Sequence, residues 1–495
     1  MSISMRWRTL IKPAGGRRVK SGKDFTVRGI TSDSRRVGKD YVFVAVKGSR
    51  SDGGLYIAEA VRRGARAVVT GPIASHGSGA ISGAENVLLV RDTRAALPAL
   101  AAEFYGHPAD KLEMVGVTGT NGKTTVTYLI ESIIRRAGFV PGVIGTVNYR
   151  FKGRVLPAPN TTPGPVELQS LLARMRRAGV EYCVMELSSH ALDQERAGGI
   201  NFSSAVFTNL TRDHLDYHRT QGNYFAAKAK LFRGLARSSF AIINRDDPAG
   251  RRLMALCPAR VYSYSVKGAG DITCGEIDMD ISGTSFFVRG FGAGFRLTTR
   301  LTGIHNIYNL LAATGWALAQ GISEKAIAGA IRDFSPVPGR MERVECGPGL
   351  SAFVDYAHTD DALKNVITAI RRLTEGKIIV VFGCGGERDK GKRPRMGRVV
   401  SELADYAVVT NDNPRSEDPQ AIIRDITGGM KGNTYCVVPD RLEAIAKAAG
   451  KARACGPGSV LLVAGKGHEN YQLLGNQTIH FDDREAVKKC LRLRK

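Results

Sequence analysis

The clearest structural signal in this chain is the stretch from Leu112 to Thr125, LEMVGVTGTNGKTT. Its first seven residues form the largely apolar run of a buried strand, and the residues after Lys123 have the spacing of an amphipathic helix. A glycine-rich turn between a strand and a helix presents backbone N–H groups to phosphate. The stretch therefore predicts a phosphate loop, with Lys123 on the phosphates and the Thr124 hydroxyl on Mg²⁺.

The loop departs from the general pattern GxxxxGK[ST], because Val117 stands where that pattern has its first glycine. A glycine turn followed by a chance Lys-Thr pair is the alternative interpretation. The strand–loop–helix context favours a phosphate loop over that alternative.

Apolar strand-like runs alternate with helical stretches along the chain, which predicts an α/β protein with doubly wound parallel sheets. At 495 residues the chain is too long for one core, and we expect three domains, 1–108, 109–336 and 337–495. The central domain carries the phosphate loop, and the third has its own parallel sheet. Residues 271–301 alternate apolar and polar side chains, which predicts a small antiparallel insert. In the first domain, YIAEAVRRGARAVV (56–69) is predicted to be helical.

Composition is that of a globular protein, with 43% hydrophobic and 24% charged residues. No apolar run reaches the roughly 18 residues of a membrane span. The first 23 residues hold seven Lys or Arg and no apolar h-region, so a basic first strand is favoured over a secretory or transit signal. The eight cysteines stand singly without a CxxC pair, which fits a reducing cytoplasm.

The net charge of +25 allows two interpretations. A polyanion-binding surface would concentrate the charge and interleave it with aromatic residues. Here Lys and Arg are spread along the chain and aromatic residues are only 7%, which favours a generally basic surface that attracts small anionic substrates. We expect a monomer with no nucleic-acid or membrane partner.

Further motifs follow GTNGKTT in order along nearly the whole chain: MELSSHALDQER, TNLTRDHLDYH, YFAAKAKLF, GIHNIYNLLAA, VPGRMERV, VDYAHT, FGCGGERDKGKRPRMG, TNDNPRSEDP and AGKGHENYQ. This series resembles the Mur ligase family of ATP-dependent amide ligases. The resemblance implies an N-terminal UDP-binding domain, a central P-loop ATP-binding domain and a Rossmann-like C-terminal amino-acid-binding domain. It also implies that ATP activates a carboxylate as an acyl phosphate, which an amine then attacks.

The resemblance implies catalytic roles for Lys123, Glu186, His214 and Lys228. Glu186 ends a strand-like run and would emerge at the carboxyl edge of the sheet, where a carboxylate is a natural Mg²⁺ ligand. Lys228 matches a lysine that CO₂ carbamoylates, a reaction that needs an amine of depressed pKa; Lys230 is the competing candidate. The predicted metal ligands are Thr124, Glu186, His214 and Lys228 as the carbamate.

For ATP, the resemblance implies contacts from the loop, from a helix near the adenine and from the start of the third domain. The predicted residues are Gly119, Thr120, Asn121, Gly122, Lys123, Thr124, Thr125, Asn306, Asn309, Arg340 and Asp355. Asp360 stands where the family usually has proline, which puts the local loop geometry in question.

The acceptor substrate implied is UDP-MurNAc-L-Ala-D-Glu, a precursor of peptidoglycan. Small hydroxyls and turn residues suit the diphosphate: Ser32, Ser34, Ser49, Arg50 and Ser51. Positions that match the muramyl-dipeptide site are Asn160, Thr161, Thr162, Ser188, Gln194 and Arg196. Arg196 is apt as a carboxylate clamp.

The segment Asp412-Asn413-Pro414-Arg415 follows a strand-like run and is the part of the chain that we expect to select the amine. Arg415 offers a planar fork for a carboxylate, and Asp412 or Asn413 can accept from an ammonium group. By resemblance, DNPR with Arg388, Gly465 and Glu469 implies meso-2,6-diaminopimelate. Lysine or another diamine remains an alternative, as does a P-loop hydrolase acting on nucleic acid; a folylpolyglutamate synthetase has no use for a UDP-type domain or DNPR.

Overall fold

The computed structural model describes residues 3–48, 51–72, 81, 83–280, 282–345 and 350–491. The chain divides into two compact units. The first comprises Met1–Gly116, Phe139–Ala205 and Arg233–Ser239, and the second comprises Val117–Gly138, Val206–Phe232 and Phe240–Lys495. The domain boundaries near residues 109 and 336 remain a prediction.

The first unit contains a five-stranded sheet that is parallel except for its basic edge strand. In spatial order its strands are Arg17–Ser21, Asn86–Leu89, Ala65–Thr70, Tyr41–Val44 and Gly29–Thr31. A further strand, Pro141–Ile144, runs parallel to Tyr182–Glu186 and antiparallel to Asn148–Phe151, which pairs with Arg154–Pro157. Met5–Arg6 pairs with Thr26–Val27.

In the second unit, Phe240–Asn244 runs parallel to Arg260–Ser265, which runs parallel to the start of Ile272–Met279. The strands Ile272–Met279, Thr284–Gly290 and Ala293–Thr299 are antiparallel, so the predicted insert is confirmed. The strands Glu113–Thr118 and Ser204–Phe207 each begin with residues of the first unit and end with residues of the second.

A six-stranded sheet in the second unit is parallel apart from its first strand. Its order is Glu342–Val344, Leu350–Asp355, Ser459–Ala464, Ile378–Phe382, Tyr406–Val409 and Tyr435–Val437. Successive residues of Ile378–Phe382 point into two cores, Val380 and Phe382 into one and Ile379 and Val381 into the other. This two-sided burial explains why the strand is apolar throughout. Tyr471–Leu474 and Gln477–His480 form a separate hairpin.

The helices of the described residues are mostly amphipathic, and several begin with a side-chain N-cap. They are Trp7–Leu10, Ile57–Arg62, Thr93–Tyr105, Lys123–Arg136, Pro165–Arg177, Ser189–Asp193, Leu215–His218, Gln221–Arg233, Pro248–Met254, Ile304–Ala319, Glu324–Arg332, Asp360–Arg371, Arg393–Leu403, Pro419–Thr427, Arg441–Ala454 and Asp483–Leu491.

Two sequence predictions need correction. The stretch 56–69 is not one helix, because Gly64 adopts φ +109° and turns the chain from the helix Ile57–Arg62 into the strand Ala65–Thr70. The C-terminal sheet is not wholly parallel, since Glu342–Val344 adds an antiparallel edge. Within the described part of the chain, no helix has the length and apolar character needed to cross a membrane.

Candidate active site

The phosphate loop joins the strand Glu113–Thr118 to the helix Lys123–Arg136, as predicted. Gly119 and Gly122 have φ values of +151° and +85°, which disfavour any residue with a side chain. A Cβ on Gly119 would collide with Thr208 Oγ1, and one on Gly122 with Asn309 Oδ1. The two glycines are therefore required by both conformation and space.

The loop is held by the segment that follows the strand Ser204–Phe207. Thr120 N donates to the Asn209 carbonyl at 2.8 Å, and Asn121 N donates to Asn209 Oδ1 at 2.9 Å. Thr208 Oγ1 donates to the Asn121 carbonyl at 2.6 Å. These bonds fix the path of the loop and leave its helix N-terminus pointing at the adjoining pocket.

Two lysine ammonium groups converge on one carbonyl of this loop. Lys123 Nζ donates to the Gly119 and Thr120 carbonyls at 3.0 and 2.8 Å, and Lys228 Nζ donates to the Gly119 carbonyl at 2.7 Å. Lys228 is only 1% exposed, and its Nζ lies 4.6 Å from the ring centroid of Tyr224. Burial and repulsion from Lys123 lower the pKa of Lys228 well below its usual value, although Asp213 acts in the opposite direction.

Asp213 and His214 lie in the segment after Asn209. His214 adopts φ +55° and its Nε2 is 3.3 Å from Asp213 Oδ2. Burial alone would raise the pKa of Asp213, but the charges of His214, Lys392 and His358 outweigh it and hold that pKa well below its usual range. Asp213 is thus an anion inside a cationic surrounding.

Within the described residues there is no group of three or more His, Cys, Asp and Glu side chains placed to hold a metal ion. A magnesium site would have to draw on other oxygen donors. The Thr124 hydroxyl fits that requirement, and so would a carbamate on the buried amine of Lys228. The carboxylate of Asp213 and the imidazole of His214 are further donors in the same unit, and oxygen donors such as this carboxylate are the ones that Mg²⁺ prefers.

A pocket beside the loop brings together most of the predicted ATP residues. Asn121, Gly122, Thr124 and Thr125 line it with Asn306, Asn309, Arg340 and Asp355. Asn306 and Asn309 open the helix Ile304–Ala319, where Asn309 Nδ2 donates to Asn306 Oδ1 at 3.1 Å. Residues that are 230 positions apart in sequence therefore share one cavity.

Arg340 and Asp355 organise one wall of this pocket. Arg340 Nη2 donates to Thr124 Oγ1 at 3.3 Å. Asp355 accepts from the backbone N–H groups of Met341 at 2.6 Å and Ala357 at 2.7 Å. Burial raises the pKa of Asp355 against the opposing charge of Arg340. Asp355 thus fixes the backbone that carries Arg340 into the pocket.

The unusual Asp360 does not disturb the neighbouring helix. Thr359 caps the helix Asp360–Arg371 by accepting from Ala362 N at 3.2 Å, and Asp360 is its first residue, where a carboxylate suits the helix dipole. The next residue, Asp361, accepts from Asn121 Nδ2 at 2.9 Å. The helix therefore begins regularly after Thr359, while Asp360 Oδ1 is buried and has no hydrogen-bond partner among the described residues.

Glu186 lies in the first unit, at the end of the strand Tyr182–Glu186 as predicted. It is fully buried, and its carboxylate accepts from Thr146 N and Thr146 Oγ1, both at 2.9 Å. Thr146 Oγ1 also lies 3.1 Å from Thr161 Oγ1. Glu186 is therefore held by a hydroxyl network that includes a predicted substrate residue.

The predicted dipeptide-binding residues form one cluster around Thr162. Arg196 Nη1 donates to the Thr162 carbonyl at 3.0 Å, and its Nε and Nη2 donate to Gln194 Oε1 at 3.0 and 2.8 Å. Thr162 Oγ1 donates to the Glu186 carbonyl at 2.8 Å and accepts from Ser188 N at 3.3 Å. The Asn160 carbonyl accepts from Tyr149 OH at 2.5 Å. Hydrogen bonds thus join Thr162, Ser188, Gln194 and Arg196, whereas Asn160 takes part, within the described residues, only through its main-chain carbonyl.

The predicted diphosphate residues are only partly described. Ser49 and Arg50 lie outside the described residues, and Ser32 and Ser51 are exposed. Ser51 Oγ donates to Tyr56 OH at 3.0 Å. Ser34 is buried and donates to Glu59 Oε2 at 2.8 Å, so its hydroxyl proton has an internal acceptor.

Asn413 and Glu469 meet at the ends of two strands of the C-terminal sheet. Asn413 Nδ2 donates to Glu469 Oε2 at 2.8 Å. Lys466 is fully buried, and its Nζ donates to Asn413 Oδ1 at 3.2 Å and to Glu469 Oε2 at 3.3 Å. Burial and repulsion from Asp412 raise the pKa of Glu469, while Lys466 lowers it. Glu469 therefore already has one internal ammonium partner.

Arg415 lies beside this pair with the left-handed φ of +55°. Its Nη1 donates to the Gly386 carbonyl at 2.7 Å, and its backbone N–H donates to Leu473 O at 3.2 Å. Pro414 and Asp412 are buried, and a Cβ on Gly465 would lie 2.5 Å from Asp412 Oδ2. Arg388 is exposed on a neighbouring loop. The segment DNPR thus forms a turn that hydrogen bonds of Arg415 tie to the Gly386 and Leu473 carbonyls.

Sequence reasoning missed four residues that organise these sites: Asn209, Tyr224, Tyr356 and Lys466. Asn209, Tyr356 and Lys466 each stand within or beside a recognised motif directly after a strand, so their position at the carboxyl end of a sheet was the available signal. Tyr224 carried no such signal, because it lies within the helix Gln221–Arg233.

Family models match three successive parts of the chain. They are described as the Mur ligase family catalytic domain, at residues 26–105, the Mur ligase middle domain, at 117–317, and the Mur ligase glutamate ligase domain, at 339–467. The chain belongs to the Mur ligase family. The phosphate loop lies within the middle-domain match, and DNPR lies within the glutamate-ligase match.

Relatives in this family match over nearly their full length. The UDP-N-acetylmuramoyl-L-alanyl-D-glutamate–2,6-diaminopimelate ligase of Geobacillus thermodenitrificans is 42% identical over 499 residues, which is 99% of this chain and 100% of the relative. The ligase of the same name from Nostoc sp. is 44% identical and covers 94% of this chain and 95% of its own.

Solved Mur ligase structures share the fold. One of a UDP-N-acetylmuramoyl-L-alanyl-D-glutamate–2,6-diaminopimelate ligase has a TM-score of 0.66 at 31% identity and covers 94% of each chain. A MurF ligase from Acinetobacter baumannii has a TM-score of 0.65 at 20% identity and covers 93% of this chain and 96% of its own. The predicted fold class, the three-domain Mur ligase architecture, is confirmed.

Proposed function

We propose that this Mur ligase uses ATP to join an amine of meso-2,6-diaminopimelate to a carboxylate of UDP-MurNAc-L-Ala-D-Glu in peptidoglycan synthesis. The observation that carries the proposal is the pocket beside the phosphate loop, which Thr124, Asn306, Asn309, Arg340 and Asp355 line together. Relatives that are 42–44% identical over almost the whole chain bear the name of this activity.

The chemistry has two stages. The carboxylate oxygen attacks the γ-phosphorus of ATP, the bond to the β-phosphate oxygen breaks, and an acyl phosphate and ADP result. The amine nitrogen then attacks the acyl carbon, loses a proton and displaces phosphate, which leaves an amide. Positioning and charge stabilisation account for most of such catalysis.

Side chains of this chain support the first stage through electrostatics. Lys123 and the N–H groups at the start of the helix Lys123–Arg136 would stabilise charge on the transferred phosphoryl group. Bound Mg²⁺ would neutralise phosphate charge, held by Thr124, His214 and a carbamate on Lys228. Burial and the nearby charge of Lys123 lower the pKa of Lys228, which supports a neutral amine there.

The remaining predicted residues bind the two other substrates. Arg196 would orient the dipeptide, and Ser34 with its neighbours would face the uridine diphosphate. Asp412, Asn413, Arg415, Arg388 and Glu469 would recognise the amino-acid head of diaminopimelate that does not react. A guanidinium can bind the carboxylate of this head, and carboxylates can bind its ammonium group.

A release assay tests the proposal. ATP with either co-substrate alone should release little phosphate, and both together should release phosphate and form the UDP-MurNAc tripeptide, detected by mass spectrometry. L-Lysine in place of meso-diaminopimelate should give a far lower kcat/KM. Equal use of lysine would assign a diamine-adding enzyme, and phosphate release driven by DNA or RNA would overturn the proposal.

A further inference from the structure

Tyr356 contacts both the nucleotide pocket and the amine-recognition loop. It follows the strand Leu350–Asp355, and its side chain is partly buried. The face of its ring lies 4.6 Å from the guanidinium carbon of Arg340, and its hydroxyl donates to Glu469 Oε1 at 3.4 Å. No step of the proposed reaction uses this side chain.

On the nucleotide side, the ring of Tyr356 limits where the Arg340 guanidinium can lie. A cation over an aromatic face is attracted by the ring quadrupole. The same guanidinium reaches Thr124 Oγ1 at the start of the loop helix, at 3.3 Å. Tyr356 thus supports the side chain that connects the pocket wall to the phosphate loop.

On the amine side, the Tyr356 hydroxyl meets one oxygen of Glu469 while Asn413 and Lys466 bond the other. Asn413 belongs to the DNPR segment. The two ends of Tyr356 cannot move independently, because an aromatic side chain is rigid and has only two torsions. A shift of the Glu469 carboxylate is therefore transmitted to the ring face under Arg340.

We propose that Tyr356 is a positioning residue that couples recognition of the amine to the placement of Arg340 at the nucleotide. The inference rests on the proposed function, which assigns Glu469 to the amine and Arg340 to ATP. Coupling of this kind is reciprocal for binding, so each ligand strengthens the binding of the other by the same factor.

A purely structural role must be distinguished, because Tyr356 also packs closely. A Cβ on Gly467 would lie 2.7 Å from Tyr356 Cβ, and the ring of His468 lies 5.0 Å from the Tyr356 ring. Two variants separate the contacts: Tyr356→Phe keeps the ring and removes the hydroxyl, and Tyr356→Leu removes the aromatic face as well.

Steady-state kinetics on the full chain test the contact between the Tyr356 hydroxyl and Glu469. Tyr356→Phe should raise the KM for diaminopimelate about 3- to 10-fold while kcat and the KM for ATP stay within about twofold. In the Glu469→Gln background, Tyr356→Phe should add little, because the partner is already altered. Independent, multiplying effects of the two substitutions would overturn the proposal, as would an unchanged KM in Tyr356→Phe.

Binding of a non-hydrolysable ATP analogue, measured by calorimetry, tests the contact between the Tyr356 ring and Arg340. This measurement does not require the ligation reaction. Tyr356→Leu should weaken this binding about 5-fold, and Tyr356→Phe should leave it unchanged. Tyr435→Phe, a substitution in the strand Tyr435–Val437, should match the wild type in both measurements. Wild-type analogue binding in a folded Tyr356→Leu variant would overturn the coupling, whereas absent ligation by the wild type would overturn the proposed function alone.

Discussion

Lys228 presents an energetic problem that a covalent change would resolve. Its ammonium would be buried near Lys123, and both donate to the Gly119 carbonyl. A buried cation beside another cation favours the neutral amine. A neutral amine is the form that attacks CO₂, and the resulting carbamate would replace repulsion from Lys123 by attraction.

Lys228→Ala should therefore lose nearly all ligase activity, because the variant lacks the anion that the carbamate would supply. A small added carboxylate such as formate or acetate should restore part of the activity, and neutral formamide should not. Lys230→Ala is the matched control, since Lys230 lies on the same helix with an exposed side chain and should retain activity. A fully active Lys228→Ala enzyme would remove this lysine from the mechanism.

Arg415 should contribute to amine recognition and leave nucleotide binding intact. Its guanidinium lies within the C-terminal turn, bonded to the Gly386 carbonyl. Arg415→Ala should raise the KM for diaminopimelate by about 10- to 100-fold, as expected for loss of a charged hydrogen bond. The KM for ATP should change less than twofold, and initial rates with each substrate varied in turn would measure both. Equal changes in the two KM values would contradict the assignment.

At the level of helices and strands, the spacing of apolar residues predicted those elements that depend mainly on local sequence. The strands Tyr182–Glu186 and Ile378–Phe382 and the helix Lys123–Arg136 were expected from apolar runs and spacing. The sequence also placed Thr162, Ser188 and Arg196 in one site, where the structure joins them by hydrogen bonds.

Other features depend on contacts between distant segments and had no local signal. The antiparallel strand Glu342–Val344 is defined by its pairing with Leu350–Asp355, and three residues are too few to carry a pattern. The role of Tyr224 beside Lys228 arises from packing against the phosphate loop. Gly64 did have a local signal, since a glycine that follows a short helical stretch often ends it.

One pair of helices is anchored by an ion pair without exposed atoms. Arg441 and Asp483 begin two successive helices, and the guanidinium donates twice to the carboxylate at 2.8 Å. Both side chains are 0% exposed. Arg441 also donates to the carbonyls of Asn411 and Ala464, the residues before Asp412 and Gly465. The pair therefore helps to hold in place the two turns that begin at Asp412 and Gly465.

Asp483→Asn should lower the free energy of unfolding by about 3–5 kcal/mol, because it leaves a buried guanidinium without its counter-charge. Replacing both partners with apolar residues, as in Arg441→Met with Asp483→Leu, should cost less than the single change. Urea unfolding followed by circular dichroism would measure these values. The exposed pair of Lys431 and Glu402 offers a control, since Glu402→Gln should change stability little. Similar losses in the two single variants would contradict this account.

At the scale of the whole molecule, the net charge of +25 should affect how the protein meets its charged substrates. Two of the proposed substrates, ATP and the UDP-linked dipeptide, are strongly anionic, whereas diaminopimelate carries two ammonium and two carboxylate groups at neutral pH. A basic protein attracts anions over a distance set by the ionic strength. The charge should therefore act on the encounter with two substrates and leave the third unaffected.

Raising the ionic strength from about 0.01 to 0.1 M shortens the Debye length from roughly 30 to 10 Å. The kcat/KM for the UDP-linked dipeptide should then fall severalfold with kcat nearly constant, because salt screens the attraction that speeds binding. The KM for diaminopimelate should hardly change and serves as the internal control in the same assay. Equal losses of kcat/KM for both substrates would show that salt changes the enzyme itself and not the rate at which it meets the anionic substrate. The basic surface would then have no role in capturing substrate.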